Sequence, residues 1–129
     1  MSSLKQLLQE EGKGNMSFDT DANDVIETEF YGIERQNNRR VVMLDLRLKG
    51  GIFFSLNYSY IIKTKFDPSE MLEIFGADVH IAIRGRNLHE LYNQLNRHKV
   101  VYIQESLSGN DLSAENEMFV REITVSETS

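Results

Sequence analysis

Four basic residues stand close together in one stretch of an otherwise acidic chain: Arg84, Arg86, Arg97 and Lys99. Tyr92 and Tyr102 lie between and beside them. Guanidinium groups and phenol rings are the side chains most used in binding hot spots and in stacking on bases. The cluster therefore suits an anion site, and its partner would be an acidic protein or RNA. A plainer account is preferred, in which Arg84 and Arg86 solvate a turn. Arg97 and Lys99 then meet the negative end of a helix dipole, a favourable placement of ~0.3–1 kcal/mol. The net charge of −6 also opposes general nucleic-acid binding, because like charges repel at long range.

A second group is aromatic. Phe53, Tyr58, Tyr60 and Tyr92 could line a pocket or an interface. Side chains alternate along a strand, so Phe53 and Phe54 point to opposite faces. If Phe54, Leu56, Tyr58 and Tyr60 face the core, Phe53 and Ile61 face outward, and an apolar outer face marks a dimer contact or a ligand groove. The competing account is core on both faces of a covered sheet.

Other chemistries find little support. His80, His89 and His98 are spaced nine apart, which matches neither a helix face nor a zinc-ligand spacing. Asp19, Asp21 and Asp24, with Glu27 and Glu29, supply enough carboxylates for a calcium loop. They lack its central glycine and its twelfth-position glutamate. Gly12-Lys13-Gly14 lacks the remaining residues of a phosphate-binding loop and follows no strand. No nucleophile-elbow signature occurs. The absence of cysteine excludes disulfides and thiolate chemistry and fits a reducing compartment. No cofactor or metal is expected. An enzyme is the less favoured expectation, although a general acid or base is defined by geometry and leaves no mark in spacing.

The elements that would position these residues follow from periodicity. At 129 residues the chain is sized for one domain. No apolar run approaches the ~18 residues of a membrane span, and the N-terminus does not resemble a signal peptide, so a cytoplasmic location is expected. Leu4, Leu7 and Leu8 suggest a short helix, followed by an acidic linker up to residue 24. A core domain spans 25–105, and an acidic tail with a candidate edge strand spans 106–129.

Within the core, alternation begins at Val25 and runs through Tyr31 as one half-buried strand. Gln36-Asn37-Asn38 is turn chemistry. Val42, Leu44, Leu46 and Leu48 alternate with Met43, Asp45, Arg47 and Lys49, and Gly50-Gly51 turns the chain into the next strand. That strand, Ile52 to Phe66, is long enough to need a bend or bulge near Asn57–Ser59. Asp67-Pro68-Ser69-Glu70 suits either a capped short helix or a type I turn before a strand. The hairpin reading, with Gly76-Ala77-Asp78 at its tip, is preferred. Asn87 can cap a helix whose Leu88, Leu91, Tyr92 and Leu95 share one face. Val100–Ile103 is an apolar strand, and in Met118–Val125 the side chains of Phe119, Arg121, Ile123 and Val125 share a face. The expected fold is α+β: a single twisted, mostly antiparallel sheet of five to seven strands with one main amphipathic helix packed on it.

The stretch Val41–Glu105 resembles a small uncharacterised bacterial domain, some members of which come from mobile, integron-type gene cassettes. The resemblance rests on I-R-G-R-N-L at Ile83–Leu88 and on L-Y-x-x-L-x-x-H-x-V at Leu91–Val100. It implies an accessory role and carries no activity or catalytic residue. The expectation for function is a non-enzymatic binding or protein-interaction module that self-associates. The alternatives are an RNA or anion binder through Arg84, Arg86, Arg97 and Lys99, and a small-molecule binding protein or enzyme with a pocket beside the sheet.

Overall fold

The computed structural model describes residues 25–36, 38–69, 71–108 and 117–127. The proposed N-terminal helix, the acidic linker, residues 109–116 and residues 128–129 lie outside them. The strands are β1 (Val25–Glu27), β2 (Tyr31–Glu34), β3 (Met43–Leu48), β4 (Ile52–Asn57), β5 (Ile61–Asp67), β6 (Met71–Gly76), β7 (Val79–Arg86), β8 (Val100–Gln104) and β9 (Phe119–Glu127). One helix, α1 (His89–Asn96), joins β7 to β8. They form two sheets, ordered β1-β2-β8-β3-β4 and β5-β6-β7-β9. The α+β class and one principal helix agree with expectation. The single sheet does not: the alternating strands divide between two sheets that bury one shared core, including Leu44, Leu46, Leu72, Ile81 and Ile103.

The division has a local cause. A 3-10 turn at Tyr58–Tyr60 ends β4 where a bend was expected. Asn57 Oδ1 accepts from the Ser59 N–H at 2.9 Å and from its hydroxyl at 2.8 Å, a side-chain-closed turn that competes with extended backbone. The turn resets the alternation. Tyr58 goes inward, whereas Tyr60, expected to share a face with Phe54 and Leu56, is exposed, as is Ile62, and Ile61 packs against the core. The chain thus passes from the edge of the first sheet to the edge of the second.

A second crossing follows β8, which lies between β2 and β3, antiparallel to one and parallel to the other. The Glu105 N–H donates to the Arg47 carbonyl of β3 at 2.9 Å, and the Ser106 N–H donates to the Val120 carbonyl of β9 at 3.0 Å. The buried Glu105 carboxylate spans the same junction. One oxygen accepts the Lys49 N–H at 2.7 Å, and the other accepts the Ile123 N–H at 3.1 Å. On the other side of β9, register shifts between Arg84 and Gly85, and both Phe119 and Val120 are buried there. A Cβ on Gly85 would lie 1.9 Å from the Phe119 carbonyl oxygen, so no side chain fits.

Local chemistry explains the remaining elements. The strand expected from Val25 through Tyr31 is instead a hairpin. Thr28 Oγ1 donates to the Tyr31 carbonyl at 2.8 Å and accepts its N–H at 3.1 Å, closing a tight turn between β1 and β2. Gly50 and Gly51 turn the chain at φ +86° and +81°, which side chains rarely adopt. Asp67 Oδ1 accepts from the Ser69 N–H at 2.9 Å, so the Asp67–Pro68 segment is a turn into β6, as preferred. Asn87 does not cap α1. It sits at φ 59° and donates to the Glu117 carbonyl at 2.9 Å, while Leu88 holds the cap position without a side-chain bond. Leu88, Leu91 and Leu95 are buried as expected, and Tyr92 stacks on Phe66 of β5 with centroids 5.4 Å apart.

Candidate functional site

The four basic residues reach different places. Arg84 is exposed on the outer face of β7, 4.0 Å from the Glu122 carboxylate of β9. Arg86 is half-buried and pairs in register with Phe119. Arg97 lies beyond the other end of α1, an eight-residue helix and so about 12 Å long. Lys99 is only 7% exposed. Its ammonium donates to the carbonyls of Gln36 and Arg39 and closes the turn that precedes β3. Closeness in sequence therefore does not become one basic surface. The local signal of a helix end was correct, but the Lys99 side chain turns away from it into a distant loop.

The tyrosines likewise do not converge on a pocket. Tyr58 donates its hydroxyl to the Val100 carbonyl at 2.7 Å and stacks on His98 with centroids 4.7 Å apart. Burial pushes its phenol well above the ordinary value, against the lowering effect of the Val100 bond. Tyr92 lies against Phe66, and Tyr60 is exposed. A hollow of about 360 Å³ occurs elsewhere, lined by Thr28, Glu29, Phe30, Tyr31, Glu117 and Met118. Among the described residues, no three His, Cys, Asp or Glu side chains group to hold a metal ion. No helix among them is long and apolar enough to cross a membrane.

Large apolar side chains are exposed at several points along the path from β4 to β5. Among the large exposed hydrophobic residues, Ile52 and Phe53 lie on β4, Tyr60 ends the 3-10 turn and Ile62 follows it. Val42 and Met43, also exposed, stand beside the turn, tied to it by the bond from the Tyr58 N–H to the Val42 carbonyl at 2.9 Å. Phe53 is 63% exposed and Ile62 70%. Ile62 is exposed because the ladder with β6 shifts between Ile61 and Lys63, leaving it unpaired in a bulge. The expected outward orientation of Phe53 agrees with the structure, and that of Ile61 does not.

The outer face beside Phe53 is stiffened by side chains on neighbouring strands. The Arg47 guanidinium carbon lies 4.0 Å from the Tyr102 ring centroid and 5.6 Å from that of Phe53. Asp45 orients it, accepting from Arg47 Nε at 3.1 Å and from the Ser55 hydroxyl at the same distance. The Tyr102 ring in turn covers Gly32, where an added Cβ would come within 2.4 Å of it. Burial raises the Tyr102 phenol, the nearby Glu27 charge adds to this, and Arg47 opposes it. Sequence reading missed this arrangement. The Gly50-Gly51 turn held the signal, since folding at that turn sets Arg47 opposite Phe53.

Comparison with family models, with curated proteins and with solved structures finds no match for this chain.

Proposed function

We propose that this protein is a non-enzymatic interaction module that associates with copies of itself through the apolar band running from β4 to β5. The observation that carries this reading is the exposure of Val42, Met43, Ile52, Phe53, Tyr60 and Ile62 along the edge strand β4 and the turn from it into β5. Single exposed apolar residues are ordinary, but several large ones on one edge strand and the turn that follows it suit a contact site. The buried polar groups also favour a binding role over a catalytic one. Glu105, Lys99 and the Tyr58 hydroxyl are each engaged with backbone and hold the fold together. The resemblance to cassette-borne bacterial domains is compatible with an accessory binding role.

Sedimentation velocity across a wide concentration range tests the reading. Mass should rise above the 14.9 kDa of one chain, and a Phe53→Lys, Ile62→Lys double variant should return it to the monomer while circular dichroism stays unchanged. A strictly monomeric parent at the highest concentration refutes it.

A further inference from the structure

Among the described residues, the outer edge of β4 differs from the other sheet edges. Two sheets give four edges among the described strands: β1 and β4, β5 and β9. An exposed edge presents unpaired N–H and C=O groups, and proteins commonly protect it with charge, short length or a bulge. β1 is three residues long and carries Glu27. β5 carries Lys63, Lys65, Asp67 and the bulge at Ile62. β9 carries Arg121, Glu122 and Glu127. β4 reads Ile-Phe-Phe-Ser-Leu-Asn, with neither charge nor bulge.

The direction of its free groups follows from the ladder. The Tyr58 N–H donates to Val42 at the end of the β3–β4 pairing, so Tyr58 and Val42 belong to the hydrogen-bonded set. Such pairs alternate in an antiparallel ladder. Leu56, Phe54 and Ile52 therefore direct their backbone groups to β3, opposite Leu44, Leu46 and Leu48. Phe53, Ser55 and Asn57 direct theirs to the open side.

We infer that β4 pairs antiparallel with β4 of a second copy about a two-fold axis at Ser55, joining the two five-stranded sheets into one. This rests on the proposed self-association and specifies its geometry. In this register Ser55 faces its own equivalent and Phe53 faces Asn57 of the partner subunit, so all three outward-directed residues bond. On the inner face, half-buried Phe54 meets Leu56 of the partner subunit, which continues the apolar layer. Each chain carries −6, yet this strand brings no like charges face to face. That neutrality favours a second copy over a charged partner. A two-fold contact of this kind also closes at the dimer and leaves no repeating edge.

The absence of cysteine permits a direct test. Ser55→Cys should form a covalent dimer under mild oxidation, because directly opposed, hydrogen-bonded residues have Cα atoms about 5.5 Å apart, within disulfide reach. It should form at least about tenfold faster than with Thr124→Cys, on the outer face of the second sheet, because pairing raises the local thiol concentration. Ser55→Pro removes an outward N–H without touching the β3 ladder and should abolish association; circular dichroism checks its fold. If that variant unfolds, the cysteine pair decides. Amide exchange at Phe53 and Ser55 should slow as concentration rises. A parent that never associates overturns both this inference and the functional reading. Association with equal cross-linking of the two cysteine variants overturns only the edge pairing. Protection of these amides in the dilute monomer also overturns it, since another part of the same chain would then cover the edge.

Discussion

Replacing Glu105 by glutamine should weaken the joint between the two sheets while preserving side-chain shape. The carboxylate is 6% exposed, and its two oxygens accept backbone N–H groups from the end of β3 and from β9. A hydrogen bond to a charged group contributes about 1.5–3 kcal/mol, and a neutral one about 1 kcal/mol. Glutamine can turn its single carbonyl toward the buried Ile123 N–H, keeping that bond in neutral form. Its amide group then faces the Lys49 N–H, two donors opposed, although Lys49 is exposed and water relieves part of the loss. Removing the charge also recovers some desolvation cost. The net is a loss of about 2 kcal/mol, the retained bond being weaker and the other lost. Urea denaturation measures it. At the ~1–3 kcal/mol per molar dependence usual for small proteins, the midpoint should fall by about 1 M. Amide exchange should accelerate at Lys49 more than at Ile123. A variant as stable as the parent, or more stable, refutes the reasoning: desolvating the carboxylate would then cost as much as its bonds contribute.

Three further perturbations probe the same framework. Gly85→Ala drives a methyl group into the Phe119 carbonyl and should cost about 3 kcal/mol or more by thermal unfolding. Ala77→Ser, at the exposed tip between β6 and β7, is its control and should be neutral within ~0.5 kcal/mol. Tyr58→Phe loses the bond to Val100 and should cost about 1 kcal/mol near neutral pH. Alkaline titration adds a signature: above pH ~10 the unfolded chain ionises this tyrosine while buried Tyr58 stays protonated, so the parent loses up to about 1.4 kcal/mol per pH unit until its raised pKa is passed. Tyr58→Phe lacks that contribution, and its stability should fall less steeply in the same window. Gly32→Ala should displace the Tyr102 ring from Arg47 and cost about 1–2 kcal/mol, with the Tyr102 ring resonances shifting in an NMR spectrum.

What could be read from the sequence was what neighbours in the chain decide. The β3 alternation, the Gly50-Gly51 turn, the Asp67-Pro68 turn into β6 and the Leu88–Leu95 face of α1 depend on residues a few positions apart, and they match the structure. The corner near Asn57–Ser59 was legible as a place. Its effect on the alternation was not, because the 3-10 turn and the bulge that follows it move Tyr60 and Ile62 outward without changing the apolar pattern. The two-sheet arrangement depends on β8 entering between β2 and β3, a contact that periodicity cannot encode. The inward turn of Lys99 was hidden for the same reason: the carbonyls that hold it belong to Gln36 and Arg39. The outward position of Phe53 was legible from alternation alone. The lack of charge on β4 was visible too, but it acquires meaning only once β4 is known to be an edge.

The central place of β8 has a consequence for how the molecule must assemble. β1–β2 and β3–β4 are local hairpins, able to form soon after synthesis, but β8 is the strand that joins them. Arg47 and its partner in the parallel ladder, Gln104, are 57 residues apart in sequence. During translation the β3 hairpin must wait, one edge unsatisfied, while the β5–β6–β7 meander and α1 are made. Such non-local pairing pays its loop-closure entropy before the contacts repay it, and places folding toward the millisecond-to-second end of the range. A chain halted before Val100 would hold two unjoined hairpins with the edges of β2 and β3 that face β8 unpaired. The last third of the sequence is thus what closes the first.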